Sequence, residues 1–278
     1  TLFLFAIQKF SRQMEWVAGR RFKRLIQTFT ATPIRGIFTG TFVTAVVQSS
    51  TAVTVMLVGL VDAGLISFSS SVGVILGANI GTTISSQLIA WNVLYIAPYL
   101  LVAGFLLYLI PNPWQRYGKP IMYFGLIFFS FLVISIIITP LQNDPIFLRW
   151  LSFLSYFPLV LLAGIAVTAL FQSSSVVTGL AIILVSQGFL NFDAALGIIL
   201  GANIGTTITA LIASIFLSTA AKRTALAHLI FNVLGVLLLL PFLGPFTSLI
   251  QTFDGTITRQ VANAHLMFNL LSVAVFLV

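Results

Sequence analysis

The chain has 278 residues, of which 59% are hydrophobic and only 6% are charged, with 13 Lys or Arg against 5 Asp or Glu. A soluble domain carries about 25% charged residues, and a disordered chain has low hydrophobicity, so the composition excludes both classes. An integral membrane protein remains, and the formal net charge of +8 indicates basic loops on one membrane face. Because the chain has no cysteine, disulfides and thiolate metal sites are excluded.

The membrane spans are predicted from runs of about 20 apolar residues, the length that crosses a bilayer as a helix. The apolar run at 1–10 has no basic segment before it, so we interpret it as the end of a membrane helix rather than as a signal peptide. The further predicted spans are 68–90, 92–110, 120–140, 192–216, 224–243 and 258–278.

Two other apolar segments, 34–61 and 158–185, carry a polar cluster at their centre. The clusters are Gln48-Ser49-Ser50-Thr51 and Gln172-Ser173-Ser174-Ser175. Polar side chains at membrane depth need partners, and irregular backbone survives there only inside protein or beside a cavity. The sequence therefore predicts two re-entrant hairpins with the polar clusters at their tips.

An internal repeat is the strongest signal in the chain. The heptapeptide Gly-Ala-Asn-Ile-Gly-Thr-Thr at 77–83 recurs unchanged at 201–207, and the same offset of 124 relates the two Gln-Ser-Ser clusters. Over 40–84 and 164–208, 24 of 45 positions are identical. We therefore predict a duplication with one unit at 1–110, a second at 125–234 and an additional helix at 258–278.

The orientation of the two units follows from counting crossings. If each hairpin returns to its own side, three spans separate them, so the second unit is inverted. The loops 9–35, 111–119 and 217–223 then share one side and hold 11 of the 13 basic residues, which makes that side cytoplasmic. If each hairpin crossed fully, the split would be 10 to 3, so the preference for hairpins depends on the polar tips.

Inverted repeats with broken membrane helices are typical of secondary transporters. The glycines of the heptapeptide are compatible with an unwound stretch, so we predict a broken helix in 68–90 and another in 192–216. Four half-helix N-termini would then offer N–H donors and partial positive charge to an anion such as phosphate. The motifs hold no charged side chain, so a hard cation such as sodium would supply counter-charge to the anion.

These motifs resemble the type II sodium/phosphate cotransporter family. The resemblance covers nearly the whole chain and includes twin Ala-His-Leu-x-Phe-Asn motifs at 227–232 and 264–269. Thr51 departs from the usual Ser but keeps a hydroxyl. The connection 141–157 is short and lacks Cys, where animal members have a large disulfide-bonded loop, so the chain resembles a bacterial member placed in the inner cell membrane.

The resemblance implies an all-α multi-pass transporter that imports inorganic phosphate with sodium by alternating access, without a further cofactor. The phosphate candidates that it implies are Gln48, Ser49, Ser50, Gln172, Ser173 and Ser174. The sodium candidates are Gln48, Ser50, Thr51, Asn79, Thr82, Thr83, Gln172, Ser174, Ser175, Asn203, Thr206 and Thr207. The expected partners are phosphate, sodium and the lipid bilayer, without nucleic acid, and a homodimer is left open.

Two alternatives stay open at this point: a sodium-coupled carrier of another oxyanion, such as sulfate or arsenate, and an anion channel. No enzyme is predicted, because the chain has no GxSxG or HExxH motif and no carboxylate pair at membrane depth.

Other polar residues receive structural interpretations. His228 and His265 each precede an Asn by four residues, which favours hydrogen-bonded packing between helices over a proton relay. Asp62 and Asp193 are interpreted as helix caps or solvated loop ends. Tryptophans near span ends indicate interfacial anchors; they are Trp16, Trp91, Trp114 and Trp150.

Overall fold

The computed structural model describes residues 2–30, 32–91, 93–111, 114–152, 156–253 and 255–277. Side chains are described within those ranges except at 4, 11, 15, 17–22, 27, 93, 94 and 150–152, so the side chain of Trp150 lies outside the description. Every regular element in the described part is helical. The all-α prediction is thereby confirmed.

Two helical hairpins lie where the polar clusters predicted them. The first consists of α2 (Pro33–Val47) and α3 (Ser50–Asp62), and the second of α8 (Phe157–Phe171) and α9 (Ser174–Ser186). Helices α2 and α8 each have a proline at the first or second helical position. A backbone N–H there has no partner within the helix, so its absence costs no hydrogen bond. The polar clusters end one helix and start the next, as expected.

The Gly-Ala-Asn-Ile-Gly-Thr-Thr segments do not unwind. Helix α4 (Phe68–Ala90) runs through 77–83 without interruption, so the predicted break in 68–90 and the half-helix beginning at Thr82 and Thr83 were wrong. In the second copy, α10 (Phe192–Gly205) and α11 (Thr207–Ser214) are separated only by Thr206, which keeps helical angles of φ −63° and ψ −22°. The interruption there is one residue rather than an unwound stretch.

The glycines of these segments serve close helix contact. A Cβ at Gly77 would overlap the carbonyl oxygen of Ile37 in α2, and a Cβ at Gly201 would overlap that of Leu161 in α8. Gly40 of α2 and Gly164 of α8 likewise meet backbone of α4 and α10. Each hairpin therefore packs its first arm tightly along the helix that follows it, with the same residues in both copies.

The remaining helices surround these two pairs. They are α1 (Leu2–Phe29), α5 (Ala97–Leu109), α6 (Gln115–Ile138), α7 (Pro145–Ser152), α12 (Thr219–Leu239), α13 (Leu243–Gln251) and α14 (Ile257–Leu277). Helix α1 continues to Phe29, so the predicted basic loop at 9–35 is mostly helix. The connection at 141–157 contains α7, and α13 follows the span that was expected to end at 243.

In the part of the chain that the structure describes, five helical segments are long and apolar enough to cross a membrane. They are Phe68–Ala90, Gln115–Asn143, Phe192–Ser214, Thr219–Gln251 and Ile257–Leu277. The span predicted at 92–110 holds the 13-residue α5 after a short 3₁₀ turn, and about 20 Å of regular helix is less than a bilayer core of about 30 Å. The chain is thus a multi-pass membrane protein.

Candidate functional site

The two polar clusters fold into the same backbone. Gln48 ends α2 and Gln172 ends α8, each in the left-handed region, with φ of 56° and 55°. They are the two non-glycine residues with positive φ in the described part of the chain. Such a conformation is uncommon for a residue with a Cβ and is held in place by its surroundings, which often marks a functional position.

Each glutamine is followed by an extended serine that precedes a new helix. Ser49 has φ −148° and Ser173 has φ −150°. The Ser49 hydroxyl accepts a hydrogen bond at 3.2 Å from the Ala52 N–H and so caps α3, whereas Ser173 makes no side-chain cap bond with α9. The sequence prediction that 49–51 and 173–175 open the second hairpin arms is confirmed.

The two tips are joined by hydrogen bonds. The Thr51 hydroxyl donates to the Gln172 carbonyl oxygen at 3.1 Å. The Ser85 hydroxyl of α4 donates to Gln48 Oε1 at 2.5 Å and lies 3.5 Å from the Ser175 hydroxyl of α9. Both hairpins and α4 therefore meet in one polar cluster, which we call the tip cluster and define as 48–51, Ser85 and 172–175.

The tip cluster is open at one hairpin and covered at the other. The Gln48 side chain is 9% exposed and its amide also donates to the Ala45 carbonyl, whereas Gln172 is exposed. Ser50, Ser174 and Ser175 are buried, while Ser49, Thr51 and Ser173 are half-buried. Among the described side chains no Lys, Arg, Asp or Glu is buried, so helix ends, hydroxyls and amides supply the electrostatics of the cluster.

Ser85 is a residue that the sequence interpretation missed. It lies two positions after the first heptapeptide, and the corresponding residue of the second copy, Thr209, also carries a hydroxyl. Thr44 and Thr168 were also missed as site residues. They stand four residues before the two glutamines, and their fully buried hydroxyls have no hydrogen-bond partner. The recurrence of hydroxyls at matched positions was the available signal.

The asparagines of the heptapeptides belong to a second polar cluster. Asn79 donates to Asn232 of α12 at 3.2 Å. Asn203 Oδ1 lies 3.4 Å from His265 Nε2 of α14, whose Nδ1 is 2.9 Å from the Ser86 hydroxyl of α4. The first Ala-His-Leu-x-Phe-Asn motif thus holds α12 against α4, and the second bridges α4 and α10 from α14, in both cases through buried side chains. His265 acts as the expected packing residue, and Asn269 donates back to its carbonyl.

Three of the four threonines of the heptapeptides donate hydrogen bonds to carbonyl oxygens three or four residues earlier in the chain. Thr82 donates to Ala78 at 2.9 Å, Thr83 to Ile80 at 2.7 Å and Thr207 to Ile204 at 2.7 Å. Thr206, at the interruption, has a buried hydroxyl without a partner. The oxygen lone pairs of these hydroxyls remain as acceptors. The structure describes no group of three or more His, Cys, Asp or Glu side chains that could hold a metal ion.

The aspartates behave as the sequence suggested. Asp62 accepts a hydrogen bond from the Ser218 N–H at 2.7 Å, at the start of α12. This bond lowers the pKa of the exposed Asp62 carboxyl from its ordinary value. Asp193 lies in the first turn of α10, which Asn191 caps. Both contribute to helix N-termini, where negative charge is favourable.

Comparison with known proteins gives one family. A family model described as Na+/Pi-cotransporter matches residues 2–135 and 149–277. The "Uncharacterized protein YqeW" of Bacillus subtilis is 33% identical over 248 residues, covering 84% of this chain and 77% of that protein. No solved structure matches the chain significantly.

Two further relatives have names that describe phosphate transport. The "Putative inorganic phosphate export protein YjbB" of Escherichia coli is 27% identical over 229 residues, which is 81% of this chain and 42% of that protein. The "Sodium-dependent phosphate transport protein 2C" of Homo sapiens is 39% identical over 111 residues, which is 38% of this chain and 18% of that protein. The chain spans less than half the length of these two relatives.

Proposed function

Because the chain belongs to the Na+/Pi-cotransporter family, we propose that it is a sodium-coupled carrier that imports inorganic phosphate across the cell membrane. The observation that carries this proposal is the tip cluster, in which two repeated Gln-Ser-Ser motifs meet with the same left-handed glutamine in each. Family membership supports phosphate as substrate and sodium as coupling ion. The binding site and the transport cycle are inferred below from the contacts.

We infer that the hairpins re-enter the membrane because their arms are too short to cross it. Arms of 15 and 13 residues reach about 22 and 20 Å, whereas a bilayer core needs about 30 Å. We propose that α5 crosses together with the 3₁₀ turn that precedes it. The segments α4, α5 and α6 between the hairpins then give three crossings and an inverted second unit. On this proposal the duplication has units at 1–110 and 125–234.

The proposed phosphate site lies between the two tips. Helices α3 and α9 begin there, and the unpaired N–H groups of a helix N-terminus bind anions. Ser173 makes no side-chain cap bond with α9, so the backbone N–H groups in the first turn of α9 are available to a ligand. The proposed ligands are Gln48, Ser49, Ser50, Gln172, Ser173 and Ser174.

The proposed sodium ligands are the neutral oxygens in and beside the tip cluster. Sodium accepts hydroxyl, amide and carbonyl oxygens, and a bound cation would offset the charge of a phosphate that has no side-chain counter-charge. The proposed set is Gln48, Ser50, Thr51, Asn79, Thr82, Thr83, Gln172, Ser174, Ser175, Asn203, Thr206 and Thr207. Asn79 and Asn203 would act from the second polar cluster, so we place them in a site separate from the tips.

The difference between the two tips supports alternating access. In an inverted-repeat carrier, the site opens to one side at a time, so the two halves adopt different environments. Gln48 is covered and Gln172 is exposed, as this mechanism requires. We propose that both hairpins, with α4 and α10, move together against the surrounding helices.

Export is the second candidate, since YjbB relatives are named for phosphate export and cover more than 80% of this chain. In a coupled carrier the sodium gradient sets the direction, and low cytoplasmic sodium drives import. Export would require a different driving ion or an uncoupled pathway.

The test is radiolabelled phosphate flux in proteoliposomes that contain the full chain. An inward sodium gradient should drive phosphate above equilibrium, and an equal potassium gradient should not. The Gln172→Ala variant, shown to be folded, is the matched control and should remain at the background of empty liposomes. Accumulation that is equal in sodium and potassium would reject sodium coupling. Release of preloaded phosphate that ignores sodium would favour the export alternative.

A further inference from the structure

A large apolar cavity lies beside the first hairpin tip. Its volume is about 840 Å³, within the range of about 300–1,000 Å³ that is usual for small-molecule sites. Its walls come from α1, α2, α4, α5 and α6, and it reaches Gln48 at one end. The lining side chains are mainly Phe, Leu, Ile and Met.

The cavity is a poor route for phosphate. A phosphate anion that loses its water needs hydrogen bonds or counter-charge, and an apolar wall supplies neither, so the desolvation cost would be high. A void of this size beside lipid also loses dispersion contacts on all its walls. A hydrocarbon chain would fill the cavity and make dispersion contacts with its apolar walls, and it carries no charge that needs a partner.

The mouth of the cavity carries positive charge and interfacial aromatics. Trp114, Arg116 and Tyr117 line the mouth and are exposed. A second, more polar cavity of about 360 Å³ shares Arg116 and adds Lys119. Arg116 lies 4.8 Å from the Tyr117 ring centre, and Lys119 Nζ lies 4.9 Å from that of Tyr108. These contacts keep both cations close to the aromatic side chains at the mouth.

We propose that this cavity binds one acyl chain of an anionic phospholipid, whose headgroup phosphate is held by Arg116 and Lys119. Charge complementarity at the mouth selects the anionic headgroup, since basic pockets between membrane helices bind such lipids. Arginine adds bidentate geometry toward phosphate oxygens. The start of α6 at Gln115, without a side-chain cap, adds helix-end N–H donors on the same side.

The bound chain would act on the first hairpin. The cavity walls include Ala45 and Val46 of α2, together with Phe10 of α1 and Phe124 of α6. A chain between these walls contacts both the hairpin arm and the helices α1 and α6 that surround it. Occupancy therefore restrains the movement of α2 relative to those helices.

Native mass spectrometry of the full chain tests the headgroup. Purified protein is exposed to equal amounts of phosphatidylglycerol and phosphatidylcholine in detergent, and single-lipid adducts are compared. We expect wild type to retain phosphatidylglycerol at least fivefold over phosphatidylcholine and Arg116→Gln/Lys119→Gln to lose that preference. Arg223→Gln, at an exposed cation of α12 outside both cavities, should keep it. An unchanged preference in the double variant, or no preference in wild type, would overturn the proposal.

Fluorescence quenching tests the acyl chain independently of the charge variants. Single-tryptophan variants keep either Trp114 in the mouth or Trp91, an exposed tryptophan in a different cavity. In liposomes of phosphatidylcholine with about 5% phosphatidylglycerol brominated on its chains, Trp114 should be quenched at least twofold more than Trp91. Moving the bromine to phosphatidylcholine at the same fraction should remove the difference. Equal quenching of the two tryptophans in both mixtures would reject a bound chain at this cavity.

Discussion

Gln48 and Gln172 take equivalent positions in the two hairpins, yet their side chains meet different surroundings. The backbone angles agree, with φ of 56° and 55°, but Gln48 is buried against Ser85 while Gln172 is exposed. The side chain of Gln172 has no corresponding bond to Thr209 in the described part of the chain. The repeated residues therefore determine the local turn, whereas the helices around each hairpin determine its access to a ligand.

The largest effect is expected from the glycines that hold both hairpins against the following helices. Gly77→Ala and Gly201→Ala place a methyl group into a carbonyl oxygen of the facing arm. Each should cost about 3 kcal/mol or prevent folding, since overpacking of close contacts costs about 1–3 kcal/mol or more. Thermal unfolding in detergent measures the loss.

Gly59→Ala is the control for these two variants, because no atom lies within 4 Å of a Cβ at that helical position. It should be neutral or stabilising by about 1 kcal/mol. Similar losses at Gly59 and Gly77 would contradict the shared close packing of the two units.

Removal of either tip glutamine should abolish transport and leave the protein folded. Alanine keeps the Cβ, so Gln48→Ala and Gln172→Ala do not change the backbone strain of the left-handed turn and remove only the amide. Phosphate uptake in proteoliposomes should fall at least 50-fold in both. Because only Gln48 bonds to Ser85, its variant should also lower the melting temperature. Wild-type uptake in either variant would remove the central role of the tips.

The cap serines should separate stability from transport. Ser49 accepts a bond from the Ala52 N–H, and Ser173 makes no cap bond. Ser49→Ala should therefore lower the free energy of unfolding by about 1 kcal/mol. Ser173→Ala should leave stability close to that of wild type and weaken phosphate binding. Melting temperatures and phosphate affinities of the two variants check this pair. Equal loss of stability at both serines would show that the tips are capped alike.

The smallest effect concerns Asp62, which ties the end of the first hairpin to the start of α12 and has Ser186 as its counterpart in the second. The Ser218 N–H lowers the Asp62 pKa below its ordinary value of 3.8. A lowered folded pKa gives stability that is present above 3.8 and is lost as pH falls through the folded pKa. Asp62→Asn should melt slightly lower than wild type at pH 7, and the difference should shrink as the pH is lowered below 3.8. A difference that does not shrink with falling pH would contradict the bond.

The sequence was sufficient to place the helix boundaries at the two polar clusters and insufficient for the heptapeptides. Polar residues at the centre of an apolar segment predicted a turn, and both turns lie at those residues. Glycine at 77 and 81 predicted an unwound helix, but glycine equally permits close approach of another helix, and only tertiary packing decides between the two. The left-handed angle of Gln48 had no signal in its residue type.

The sequence predicted only part of the site, because the packing of distant helices also determines which residues meet there. The repeated Gln-Ser-Ser motifs gave the residues of the tip cluster directly. Ser85 was missed because its role depends on α4 lying beside the tips, which local sequence does not specify. The heptapeptide asparagines were predicted as sodium ligands, and the structure places them against Asn232 and His265. The length of helix α1 was underestimated, because the basic residues between 9 and 35 were interpreted as a loop.

Coupled binding of phosphate and sodium at the tip cluster is tested most directly by isothermal titration calorimetry. Phosphate binding to the purified full chain is measured in sodium and in potassium. If the two ions share the tip cluster, sodium should tighten the phosphate Kd at least tenfold, and phosphate should tighten sodium binding by the same factor. Gln48→Ala and Gln172→Ala should lose this coupling. A phosphate affinity that is the same in sodium and potassium, in protein that binds phosphate, would contradict coupled binding at the two tips.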